Sequence, residues 1–309
     1  MAHLAYHRQW LGEQGVLKRT HEASLREGGI AALPIHVDSF DDVALLLAEV
    51  SDSEGTFRLC RSPADIDGDD AGNGIGLLLA PSYAAIGDRP ERLLCLKELG
   101  AVMFPMSLNA RNLLADGCGE REASGLSDLG VQVVKTLNRL GILVDVSHLS
   151  ERSFWHSLEA SSAPVIASHS NSRALCDNPR NLSDEQVKAI AERGGAVGAS
   201  VHPSMLSKST ASVNDYVRHI LHLLEVAGED HVMLGADFID YQLELVLPKL
   251  QSGVRTGIYR AGHMAADGLT GFADLSKIPS LLREAGVADG VVRKVTAANL
   301  LRLLSEVHR

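Results

Sequence analysis

An α/β fold with parallel strands, either a barrel or a doubly wound sheet, is predicted by three observations. Apolar, β-prone runs alternate with segments of helical period along the chain, and such alternation implies right-handed crossovers between parallel strands. The runs are apolar nearly throughout, as strands buried on both faces are. Three of them, Gly141-Ile142-Leu143-Val144-Asp145-Val146-Ser147-His148, Pro164-Val165-Ile166-Ala167-Ser168-His169 and Val232-Met233-Leu234-Gly235-Ala236-Asp237, end on a residue able to bind a metal or move a proton. In parallel folds the C-terminal strand ends face one common site.

In chain order, a strand is expected at Ala31–Val37 and a helix over Asp41–Val50. Strand Ile75–Ala80, helix Pro90–Leu99 and strand Ala101–Met106 follow, and then helix Leu126–Leu140, closed by Gly141. Strand Ile142–His148 leads to helix Glu151–Ala160, and strand Pro164–His169 to helix Ser183–Arg193. That helix carries its own start signal, with Ser183 as N-cap and Gln186 at the capping-box position, and Gly194 at its end. Strand Gly195–His202, helix Val213–Val226 with Gly228 behind it, and strand His231–Asp237 complete the alternation. Two helices, Leu275–Ala285 and Ala288–Val307, close the chain. The connection Leu243–Asp274, long and rich in Gly and His, reads as a loop that folds over the site. Seven strands are one fewer than a closed eight-stranded barrel needs, and the missing one is expected before Ala31.

A chain of 309 residues that is 45% hydrophobic and 22% charged can bury a sizeable core, and one barrel domain spanning residues 1–309 accommodates it. No apolar run reaches the roughly 18 residues of a membrane span, and the start, MAHLAYHRQWLGEQG, is too polar for a signal peptide, so a cytoplasmic protein is expected. Cys60, Cys95, Cys118 and Cys176 are scattered without Cys-x-x-Cys spacing, which suggests reduced thiols rather than a disulfide framework. The net charge of −10 disfavours nucleic acid and anionic membranes as partners.

His148 and His169 each follow a serine at the ends of successive strands. Neighbouring parallel strands lie about 4.8 Å apart, so two such imidazoles can share one ion. Asp237 can ligate a cation or act as general base toward a water, its other reading being a helix N-cap. Asp240 reads as loop or cap. Arg180, in Asn178-Pro179-Arg180-Asn181, suits bidentate capture of a carboxylate, or is a surface arginine beside a turn. His202 and His36 end two further strands and either face the mouth or satisfy loop carbonyls. Asn109 and Asn112 are candidates for orienting substrate, though asparagine is first a turn former.

Taken together, Leu137-Asn138-Arg139-Leu140-Gly141 running into Asp145-Val146-Ser147-His148, with Ser168-His169-Ser170, Pro179-Arg180-Asn181-Leu182-Ser183-Asp184-Glu185 and Gly235-Ala236-Asp237-Phe238, resembles the membrane dipeptidase (renal dipeptidase) family of metallopeptidases. The likeness runs from about Leu25-Arg26-Glu27-Gly28-Gly29 to Asn299-Leu300, nearly the whole chain. It implies a distorted (β/α)8 barrel of the amidohydrolase superfamily, a homodimer, and dipeptides or related amides as substrates at a two-zinc centre. It further implies that His148 and His169 bind one zinc, that Asp237 works as acid and base, and that Arg180 holds the substrate carboxylate.

Three family elements are absent. The chain begins Met1-Ala2-His3-Leu4-Ala5-Tyr6-His7, without the first-strand His-x-Asp pair that would ligate the other zinc. The bridging glutamate corresponds to Pro81 or Ala80, and a substrate-facing histidine corresponds to Leu108. A single zinc held by His148 and His169 with Asp237 is therefore expected, His202, His36 or an N-terminal histidine supplying any further ligand. The expected activity is hydrolysis of a dipeptide or small carboxylate-bearing amide. The alternatives are a metal-free isomerase, tautomerase or lyase on the same scaffold, and a catalytically silent subunit that binds a ligand or partner.

Overall fold

Parallel strand pairing organises the computed structural model, which describes residues 8, 11–67, 74–238, 257–260 and 265–308. Eight strands are formed: β1 (Ala32–Val37), β2 (Phe57–Leu59), β3 (Ile75–Pro81), β4 (Met103–Pro105), β5 (Leu143–Asp145), β6 (Val165–Ala167), β7 (Ala196–Ala199) and β8 (Val232–Leu234). All the ladders are parallel, in sheets of order β1-β3-β2 and β4-β5-β6-β7-β8. A parallel bridge from Leu79 to Ala101 joins the two sheets. Among the described residues no ladder connects β8 back to β1, so the barrel is not closed.

The expected alternation is present, and its local signals hold. Ser183 and Gln186 form the reciprocal capping box of helix Asp184–Glu192. Gly141, with φ 65°, closes helix Asp128–Leu140, and Gly228 closes helix Val213–Ala227. Helix Glu151–Ala160 has the expected bounds.

One strand was not expected: β2, after β1. The described stretch before Ala32 forms helix Val16–Glu27, and the residues ahead of it, where the missing strand was expected, fall largely outside the described ones. Three residues with Arg58 at the centre make too short a run to register as periodic, and Phe57–Leu59 is extended because it pairs with Ile75–Leu77. The first-strand position of the His-x-Asp pair and the N-terminal histidines His3 and His7 fall outside the described residues, as do Asp240 and residues 243–256 of the long connection.

Side chains alternate between two cores. Leu77 and Leu79 of β3, Val144 of β5, Val165 of β6, Val197 of β7 and Val232 of β8 pack outward under the helices. Leu78, Ala80, Leu143, Ile166, Ala196 and Met233 turn the other way, into a second cluster closed by Leu303 and Leu304 of the last helix. The period of two along each strand produces this division. It also carries the inner face upward from Leu143 to Asp145 and from Ile166 to Ser168, so a polar layer succeeds the apolar one at the C-terminal ends.

Two glycines permit close approach of strands there: a Cβ on Gly198 or Gly235 would fall 2.1 Å from the Ser168 carbonyl oxygen. The four cysteines are free. Among the described residues no helix is long and apolar enough to cross a membrane.

Candidate active site

The sequence placed the site residues on strands, whereas the structure places them just beyond. β5 ends at Asp145 and His148 follows in a turn; β6 ends at Ala167, β7 at Ala199 and β8 at Leu234, with His169, His202 and Asp237 two or three residues on. His148 and Asp237 have φ of 68° and 63°, and Glu54 is the other described non-glycine residue with positive φ. Left-handed backbone costs a non-glycine residue roughly 1–2 kcal/mol, so surrounding contacts must hold it there. For His148 one such contact is its carbonyl, which accepts from Cys118 N at 2.7 Å.

A continuous chain of hydrogen bonds runs through the two histidines. Asp145, 1% exposed, accepts from the backbone of Ser147 and Ser168, each at 3.0 Å, and from the Ser168 hydroxyl at 2.5 Å. With its proton given to Asp145, Ser168 Oγ accepts from His169 Nδ1 at 2.7 Å. On the other side, Asn109 Oδ1 lies 2.8 Å from His148 Nδ1 and accepts its proton. Both rings thus carry hydrogen on Nδ1, and their bare Nε2 atoms face each other at 2.8 Å. The rings meet edge to face, 4.9 Å between centroids. Burial pushes the pKa of His148 well below the ordinary histidine value, with the Arg180 charge and His169 adding to the effect. His169 is also lowered, chiefly by burial.

This donor set suits one cation. Two lone pairs opposed at hydrogen-bond distance repel unless a proton or cation lies between them, and burial beside Arg180 disfavours the proton. Outer hydrogen bonds from Nδ1 are what fix the orientation and tautomer of metal-binding histidines. Among the described residues a second cation lacks ligands: Ala80 and Pro81, where a bridging carboxylate would stand, are buried and apolar. Among the described residues no group of three or more His, Cys, Asp and Glu side chains converges as a metal site, so the ligands in hand are two nitrogens.

Arg180 is no surface residue. It is 2% exposed, its Nη2 donates to the His169 carbonyl at 3.0 Å, and its Nε is without a partner among the described residues. A buried N–H so left costs about 1–3 kcal/mol, which an anionic ligand would recover. Asp237 is exposed at the same mouth, and its charge raises the pKa values of His169 and His202 against the lowering by burial.

His202 N-caps the short helix Pro203–Leu206, its Nδ1 accepting from Ser204 N at 3.2 Å. Its remaining hydrogen is then on Nε2, which makes the ring a donor rather than a ligand. Burial holds its pKa down at about 4.

His36 Nε2 is 3.0 Å from Asp38 Oδ1, which also accepts from Ser82 Oγ at 2.6 Å, and this group sits at the C-terminal ends of β1 and β3. Asn109 is brought to the histidines, but Asn112 is not. Its amide is spent on Met106 O, Leu114 N and Ala115 N, organising the turn. Leu108 is half-buried beside Asn109.

Residues that sequence reasoning missed include Asp145, Ser168 and Tyr259. A carboxylate inside an apolar strand was a readable signal for Asp145. Tyr259 carried none, because it belongs to the long connection. Residues 257–260 of that connection do reach the site, where Tyr259 stacks on His202 with centroids 4.5 Å apart.

Residues 38–246 match the family described as membrane dipeptidase, peptidase family M19. An uncharacterised protein from the pqqA 5′ region of Klebsiella pneumoniae is 30% identical over 280 residues, covering 87% of this chain and 95% of that one. An uncharacterised dipeptidase of Schizosaccharomyces pombe is 30% identical over 226 residues, 71% of this chain and 49% of its own length. Among solved structures, an amidohydrolase from Pseudomonas aeruginosa superposes with a TM-score of 0.85 at 27% identity, covering 94% of this chain and 92% of that one.

Proposed function

Because the chain belongs to the membrane dipeptidase family, we propose that it hydrolyses a dipeptide, or a small amide bearing a free carboxylate, with one zinc ion held by His148 and His169. The observation that carries this reading is the pair of opposed Nε2 atoms 2.8 Å apart, each ring anchored through its Nδ1 hydrogen. The zinc would supply Lewis acidity toward the attacking water and the amide carbonyl.

The chain's own residues do the rest. Arg180, with an unused Nε hydrogen in a buried setting, binds the substrate carboxylate and fixes which end of the molecule enters. Asp237 takes the proton from the attacking water and returns it to the leaving nitrogen; its exposed carboxyl at the mouth supports this role. Asp145 and Asn109 act indirectly, orienting the imidazoles through Ser168 and through the Nδ1 hydrogen bond.

We place the enzyme in the cytoplasm as a single-domain homodimer acting on small molecules. Elemental analysis of the purified protein tests the metal, with about one zinc per chain expected and its loss in His148→Ala or His169→Ala. Turnover of a dipeptide panel by the zinc-loaded protein tests the reaction. Protein that takes up no zinc on reconstitution would refute the first part. Zinc-loaded protein inactive on every dipeptide and amide would refute the second and favour a non-hydrolytic reaction or a silent subunit.

A further inference from the structure

Two hydrogen-bond donors at the mouth have no acceptor among the described residues. The first is Tyr259. Its segment is clamped on both sides: Asn178 Nδ2 donates to the Ile258 carbonyl at 2.8 Å, and Arg260 N donates to Ser204 Oγ at 3.0 Å. The Arg260 guanidinium adds bonds to the carbonyls of Lys208, at 2.7 Å, and Pro203, at 3.4 Å. Between these clamps the Tyr259 hydroxyl receives a hydrogen bond from Asn109 Nδ2 at 3.3 Å. An amide nitrogen only donates, so the phenol oxygen is the acceptor there, and its own hydrogen has no acceptor among the described residues.

The second is His202. With Nδ1 accepting from Ser204 N, the neutral ring carries its hydrogen on Nε2, and that hydrogen has no acceptor among the described residues. The two rings lie 32° from parallel with centroids 4.5 Å apart, which keeps both donors in one part of the mouth. Asn109 links this pair to His148 through the same side chain.

We propose that the Tyr259 hydroxyl and His202 Nε2–H together bind the carbonyl oxygen of the scissile amide and hold the negative charge it acquires. The inference rests on the amide-hydrolysis reading and adds the groups that stabilise its oxyanion. As the water oxygen bonds to the carbonyl carbon, the C=O π pair moves onto oxygen and the water proton passes to Asp237. When the tetrahedral species collapses, the pair returns, the C–N bond breaks and the proton goes from Asp237 to the departing amine. The two donors bear on the step in which the oxygen is most negative, where fixed hydrogen bonds in a site shielded from water act most strongly. Burial keeps His202 neutral down to about pH 4, so its Nε2 donates as an uncharged N–H across the physiological range.

Tyr259→Phe tests this, because it keeps the ring on His202 and removes only the hydroxyl. Loss of one oxyanion donor lowers kcat by roughly 100- to 1,000-fold. We expect that fall in kcat with KM changed by less than about threefold, as for an interaction made in the transition state. A phosphinate dipeptide, whose tetrahedral phosphorus carries a negatively charged oxygen, should lose affinity by a similar factor in calorimetry, while zinc content and Tm match those of the wild type. A purely structural tyrosine would instead raise KM and lower Tm. Wild-type activity with kcat and phosphinate affinity of Tyr259→Phe within threefold of it would overturn this inference alone. Wild-type protein that neither binds the phosphinate nor cleaves dipeptides would overturn the hydrolase reading and this inference with it.

Discussion

Replacing His219 by glutamine should flatten the loss of stability in acid. His219, on helix Val213–Ala227, is 1% exposed; its Nδ1 accepts from Ser172 N at 3.2 Å and its Nε2 donates to the Leu206 carbonyl at 3.1 Å. Both nitrogens are therefore committed in the neutral form, and protonation would set an N–H against the Ser172 N–H. Burial is the main cause that lowers its pKa from 6.5 to about 4.

Between those values the unfolded chain binds a proton that the native state refuses, so stability is full above pH 6.5, falls as the pH drops, and levels off near pH 4. One pKa unit is worth about 1.4 kcal/mol. The shift of about 2.5 units thus corresponds to about 3 kcal/mol over the whole window, of which about 2 kcal/mol is lost by pH 5. Urea unfolding at pH 7, 6, 5 and 4.5, for wild type and His219→Gln, measures the difference. Glutamine does not titrate, so the variant's slope of stability against pH should be smaller by up to one proton, even if its stability at pH 7 is about 1 kcal/mol lower from an imperfect replacement bond. Identical slopes for the two proteins would refute the reasoning. Because Ser172 lies in the loop after His169, acid-induced loosening should also show as faster amide exchange there.

Other expectations concern the site and its support. Gly235→Ala would set a Cβ 2.1 Å from the Ser168 carbonyl, and overpacking of this kind costs about 1–3 kcal/mol or more, visible as a lowered denaturation midpoint. Ser168→Ala removes the acceptor for His169 Nδ1 and leaves Asp145 one donor short, so zinc affinity measured by competitive chelation should fall about 10- to 100-fold, and an unchanged affinity would count against the tautomer argument. Arg180→Leu should raise KM for dipeptides by about 10- to 100-fold, the worth of a charge-assisted pair, yet leave C-terminally amidated substrates nearly unaffected. Equal losses for both substrate kinds would mean that Arg180 does not read the carboxylate.

What the sequence determined is what neighbours in the chain decide among themselves. The capping box of Ser183 and Gln186, the glycine at 141 and the apolar strand runs are short-range effects, and they located helices and strands wherever the pattern was long enough to repeat, though the strands end two or three residues before the runs do. The grouping of His148, His169 and Asp237 was legible too, because residues at the C-terminal strand ends share a mouth in any parallel barrel, whereas Arg180 reaches His169 from the loop beyond β6. Three-residue β2 was not, since its extended form depends on a partner strand distant in sequence. The long connection hid Tyr259 for the same reason: the contacts that fix it come from Asn109, Asn178, His202 and Ser204. Only the tertiary structure decided which nitrogen of each histidine carries hydrogen, because a tautomer is set by the partner on the other side of the ring. Asn109 and Ser168 leave His148 and His169 with lone pairs facing each other, while Ser204 N leaves His202 with a proton to give, so histidines alike in sequence divide into two with open lone pairs and one with a free donor.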